Sequence, residues 1–171
     1  MKRFIVFFIC VHLFFGLEVA MGQSAPNPPD RTGTLRVTQT LHFGDIALKS
    51  PTSSGSVTVD FGGTRIPAGD VILLNMGNTA KPAIFEFKLC PGRTVTITYS
   101  LTVPLTASNG NTITLHIGPT NLGSSGAIFI SNKGCDDTHL IKVGGTIDIL
   151  PMSFNQAGLY TGSFDLTFNQ Q

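Results

Sequence analysis

The chain has 171 residues, with eleven Lys or Arg against ten Asp or Glu and a formal net charge of +1. Charged residues make up only 12% and form no basic block, so the clustered Lys and Arg that neutralise phosphate are missing and nucleic acid is excluded as a partner. Nineteen glycines, abundant Thr and no Trp suit a β-rich exported protein better than a cytosolic enzyme.

The first segment reads as a leader. Lys2 and Arg3 form a short basic region, Phe4 to Leu17 is apolar except for His12, and the small residues Ala20 and Gly22 are spaced as a signal peptidase requires. Cleavage is expected after Gly22, making residues 1–22 a signal peptide. An apolar run of about fourteen residues falls short of the roughly twenty that span hydrocarbon, so no stable transmembrane anchor is expected. Cys10 lies inside that run and no cysteine stands at the cut, which argues against a lipoprotein. Residues 23–34 hold Pro26, Pro28 and Pro29 among polar residues and are expected to form a flexible tail. Residues 35–171 then make one domain, exported to the periplasm, cell surface or medium.

Within that domain apolar and polar residues alternate with a period of two, so successive side chains fall on opposite faces of strands. The first strand runs from Leu35 to Phe43, before Gly44 interrupts and Ile46 to Leu48 follows. Val57, Val59 and Phe61 alternate with Thr58 and Asp60, and a short strand covers Val71 to Leu74. Phe85, Phe87 and Leu89 alternate with Glu86 and Lys88, then Val95, Ile97, Tyr99 and Leu101 alternate with Thr96, Thr98 and Ser100. Pro91-Gly92 between them is a turn signal of the kind that joins hairpin strands. Asn109-Gly110 precedes Thr112 to Ile117 and marks a second tight turn. Ala127 to Ile130, Asp137 to Val143 and Thr146 to Leu150 follow, the last two divided by Gly144-Gly145. The closing segment places Tyr160, Phe164, Leu166 and Phe168 on one face as the structural core of a final strand, with Thr161, Ser163, Asp165 and Thr167 on the other.

About nine or ten short strands without helical periodicity predict mainly antiparallel sheets in a two-layer sandwich, with a closed barrel as the alternative. A membrane barrel is disfavoured, because the strands are short and aromatic girdles are lacking. Only Cys90 and Cys135 remain in the domain. In an oxidising compartment they most simply form one disulfide, whose closed loop of about 45 residues would add roughly 4 kcal/mol. Two free thiols, or a metal held with other ligands, are the alternatives.

Several segments carry a resemblance. Leu41-His42-Phe43-Gly44-Asp45-Ile46, Gly55-Ser56-Val57-Thr58-Val59, Gly63-Thr64-Arg65, Val143-Gly144-Gly145-Thr146-Ile147 and Ala157-Gly158-Leu159-Tyr160-Thr161-Gly162-Ser163-Phe164 together resemble exported bacterial β-proteins known as a domain of unknown function. The ending is also similar to the spore coat protein U group and to fimbrial subunits of chaperone-usher pili. That resemblance implies an antiparallel immunoglobulin-like, pilin-like β-sandwich and a role in surface or periplasmic assembly.

Asp136-Asp137-Thr138-His139, beside Cys135, is the one local cluster that could bind a divalent cation or form an acid/base pair, and a polar loop is the plainer reading. His42 and His116 have no acidic or nucleophilic neighbour in sequence. Arg65 could meet an acidic partner or bond within its own loop. No serine elbow, zinc-protease motif or phosphate loop is present, so no catalytic residue, metal or cofactor is expected. The reading is a non-catalytic structural or adhesive subunit whose partners are other copies of itself or surface assembly proteins. The alternatives are a stand-alone module binding glycan or protein, and a hydrolase built around Asp136, Asp137 and His139.

Overall fold

Every regular element of the computed structural model, which describes residues 34–170, is a β-strand, and every strand pairing is antiparallel. The expected leader and all of the expected tail except Thr34 lie outside the described residues. The described chain forms an eight-stranded sheet, a three-stranded sheet and a two-stranded ribbon.

The large sheet is ordered β1 (Thr34–Gln39), β6 (Ala83–Lys88), β11 (Thr138–Ile149), β9 (Thr112–Thr120), β8 (Thr102–Ala107) and β12 (Tyr160–Thr161). β3 (Gly55–Val59) joins it through β11 and carries β4 (Arg65–Gly69) outside it, and the whole sheet curls into a half-barrel. β10 (Ala127–Ile130), β7 (Thr94–Tyr99) and β13 (Leu166–Gln170) form the three-stranded sheet, while β2 (Asp45–Leu48) and β5 (Val71–Leu74) form the ribbon.

The core lies where these pieces face one another. Val57, Leu115, Ile117, Ile141, Val143 and Ile147 come from the half-barrel, Val95, Ile97 and Leu166 from the smaller sheet, and Val71 from the ribbon. Alternation explains the sorting: β6 reads buried at Ala83, Phe85 and Phe87 and more open at Ile84, Glu86 and Lys88. The Tyr99 hydroxyl donates to the Gly118 carbonyl at 3.0 Å and so ties β7 of the smaller sheet to β9 of the half-barrel.

The organising element is β11. Along one side its first half pairs with β6 and its second half with β3, while β9 pairs along the other. Gly144-Gly145, expected to divide two strands, runs inside this single twelve-residue strand. The reason is crowding: a Cβ on Gly144 would meet the Val59 carbonyl and Asp60 backbone, and one on Gly145 would lie 2.8 Å from Leu115 Cδ1. The glycines permit close approach at the switch of partners.

Four other expectations change. The Pro91-Gly92 turn does not join a hairpin, because β6 and β7 belong to different sheets. The first strand ends at Gln39, where the register shifts, and not at Phe43. β4 and β8 were hidden by Pro67 and Pro104; Pro67 sits on an edge strand, where a missing N–H is tolerated. The final alternating segment divides, with Tyr160 pairing in the half-barrel and Leu166 to Gln170 pairing with β7 in the smaller sheet.

Candidate functional site: a sealed corner and open strand edges

Cys90, just after β6, is disulfide-bonded to Cys135 in the loop between β10 and β11. Ser131, only 1% exposed, bonds to Leu89 and Gly92 on either side of Cys90. Its hydroxyl donates to the Leu89 carbonyl at 2.9 Å and stands 2.9 Å from His139 Nε2. Since the hydroxyl proton goes to Leu89, the hydrogen-bond network assigns the imidazole proton to Nε2, which donates to Ser131. The His139 ring packs 5.9 Å from Phe87 and 5.7 Å from Phe129, centroid to centroid. Burial lowers its pKa below the ordinary 6.5; Lys133 adds to the depression and Asp137 opposes it. A serine beside an imidazole has the composition of a nucleophile and its base, but this hydroxyl is sealed from substrate and committed to a carbonyl. The pair is structural.

Asp136, Asp137 and His139 do not assemble into a site. Asp137 accepts the Gly134 N–H at 3.0 Å in the exposed loop, whereas His139 points inward. Among the described residues, no group of three or more His, Cys, Asp or Glu is placed to hold a metal ion. His42 Nδ1 accepts the Gly44 N–H at 2.9 Å, a local turn contact. His116 gains a partner that its sequence surroundings concealed: Nε2 lies 2.9 Å from Asp148 Oδ2 on the exposed face of β9 and β11.

Arg65 is a clamp. Its Nη1 donates to the carbonyls of Phe43 and Asp45 at 3.2 and 3.3 Å, and Nη2 to the Leu74 carbonyl at 3.1 Å and Asn75 Oδ1 at 3.4 Å. Asn78 Nδ2 adds bonds to both carboxylate oxygens of Asp45. Two motifs separated in sequence, around Gly44 and around Arg65, therefore meet at the end of the β2–β5 ribbon. A shallow depression of about 330 Å³ lies beside them, lined by Arg65, Asn75, Asn78 and Thr79 among others. With all four guanidinium contacts inside the protein, Arg65 is occupied by holding the ribbon in place.

The strand edges are more open than these interior sites. Leu35 and Val37 on β1 pair with Phe87 and Phe85, and paired residues share a face, so both point to the core side. They are nevertheless 47% and 57% exposed. Among the described residues β1 has no partner on its outer side. At the closing end, Leu166 is buried, while Tyr160, Phe164 and Phe168 are partly buried against the core. Phe164 meets Phe85 edge-on and Phe168 stacks on Phe87 with centroids 5.3 Å apart. The Tyr160 hydroxyl donates to the Gln156 carbonyl at 2.7 Å. No helix of the described residues is long and apolar enough to cross a membrane.

A family model described as a domain of unknown function, DUF4402, matches residues 34–169. No curated protein and no solved structure matches the chain.

Proposed function

This chain belongs to the DUF4402 family, a domain of unknown function, and from that premise we propose that it is an exported, non-catalytic structural or adhesive subunit of a bacterial surface or periplasm, assembling through strand edges. The observation that carries the reading is the uncovered inner face at β1. Leu35 and Val37 lie on the face that elsewhere is core, beside a row of backbone donors and acceptors without a partner among the described residues. An added strand from another chain would pair with that edge and cover those side chains together.

An immunoglobulin-like, pilin-like arrangement of the layers, similar to spore coat protein U and usher-dependent fimbrial subunits, belongs to this reading. It is supported by one core cluster shared between the half-barrel and the smaller sheet and by the Tyr160 hydroxyl bonding to a carbonyl four residues upstream, the contact that anchors a tyrosine corner. The Cys90–Cys135 disulfide supports an oxidising, extracytoplasmic location.

Sedimentation velocity and electron microscopy of the exported protein, purified after expression of the full chain, test the proposal. Oligomers or fibres should grow with concentration and shrink with Val37→Lys. A protein that stays monomeric at the highest concentration reached, and never enters surface polymers, would overturn it.

A further inference from the structure

We infer that β10 is a self-recognition edge, at which two copies of this chain pair strand to strand about a two-fold axis. The inference rests on the assembly reading above but concerns the three-stranded sheet, and it names the partner as a second copy.

The backbone sets the geometry. β10 pairs with β7 so that Phe129 faces Val95, and Ser131 N–H donates to the Arg93 carbonyl in the same register. In an antiparallel ladder inward and outward bonding alternate, so the N–H and C=O groups of Ile128 and Ile130 point to the open side. No other strand borders that side among the described residues. The side chains of these two residues lie on the outer face, each 65% exposed. Beside them stand Thr94, Thr96 and Thr98, with Thr167 and Asn169 beyond, and none of these carries a charge.

The other edges of the two larger sheets are less suited to pairing with their own copy. β4 has Pro67, β1 has Arg36 and a register shift, and β12 is two residues long. β13 is uncharged, but its outer side chains Thr167 and Asn169 offer nothing apolar to cover. β10, reading Ala-Ile-Phe-Ile, has no proline, charge or bulge.

Self-complementarity selects the occupant. An identical antiparallel strand centred on Phe129 brings Ile128 of one copy opposite Ile130 of the other, and the reverse, through about four interchain backbone bonds. No charge is buried, no like charges meet, and four isoleucines gather on one face. The two three-stranded sheets become one six-stranded sheet. Such a contact is small, so the dimer dissociates on dilution.

The charge pattern of the register supplies the test. In sedimentation velocity on the exported protein, the wild type should pass from monomer to dimer as concentration rises. Ile128→Lys and Ile130→Glu, each at an exposed position and checked for an unchanged melting temperature, should each move the midpoint at least tenfold higher. The double variant I128K/I130E places the introduced lysine opposite the other copy's introduced glutamate and should recover dimer at low salt. Single variants that associate like wild type, a double variant as monomeric as the singles, or a wild type that never dimerises would each overturn the inference. Longer polymers indifferent to both single changes would overturn the β10 pairing and leave the assembly reading standing. A closed dimer lost in the single variants, with no longer species, would support the pairing and count against assembly through β1.

Discussion

Ser131 and His139 meet at 2.9 Å between two sheets: Ser131 follows β10 of the smaller sheet, and His139 lies on β11 of the half-barrel. The same hydroxyl donates to Leu89 after β6, so one buried side chain joins both sheets next to the disulfide. Replacing it leaves two partners without a mate in a site closed to water. Ser131→Ala should therefore destabilise the fold by about 1–3 kcal/mol in urea unfolding, where a typical exposed serine would cost under about 0.5. A loss that small at Ser131 would show that the contact contributes little.

The pH dependence follows from the same pair. Burial holds the His139 pKa below 6.5, so the unfolded chain binds a proton more readily than the folded one. Stability from the neutral ring is complete above the unfolded value and is lost as pH falls through about 6.5 towards the lower folded value. Melting temperature should decline between pH 7 and pH 5, and His139→Gln should flatten that decline relative to wild type. Equal slopes for the two proteins would refute the assignment.

Arg65 makes its contacts with a planar fork that a lysine cannot reproduce. Arg65→Lys keeps the charge but leaves some of the Phe43, Asp45 and Leu74 carbonyls without a donor. A stability loss of about 1–3 kcal/mol is expected, with faster amide exchange confined to the β2–β5 ribbon. Uniform exchange across the molecule would point to a role other than clamping.

Neighbours in β13 should respond in opposite ways. Leu166 is buried against Tyr99 and the core, so Leu166→Ala should cost about 2–5 kcal/mol, whereas exposed Thr167→Ala should stay within about 0.5. Phe164 is only partly buried, and Phe164→Ala should fall between the two. Equivalent losses at Leu166 and Thr167 would mean the inward face is misassigned.

The period-two pattern made β6 and β7 readable, because each buries one face and leaves the other more open, whereas β10 is apolar on both faces and shows no such contrast. Partnership was less legible. Pro91-Gly92 looks like a hairpin turn, yet it carries the chain from one sheet to the other, a choice made by packing around Cys90 and Ser131 that no local residue encodes. Tyr160 and Leu166 keep the same phase across Gly162 to Asp165 and could not show that the chain changes sheets between them. His139 was obscured by the acidic pair before it. Its phase with Ile141 and Val143 was the signal that could have placed it inward. The meeting of Arg65 with Phe43 and Asp45 depends on long-range pairing and left no trace in spacing.

The shared strand β11 also fixes when the protein can fold. It begins at Thr138, and β3, β6 and β9, all made earlier, reach one another only through it. A nascent chain that stops short of that point holds separate ribbons with nowhere to bury their greasy sides, so the barrier is dominated by contacts between distant parts of the polypeptide. Folding therefore waits until synthesis is nearly finished, and the earlier strands stay without their shared partner until then.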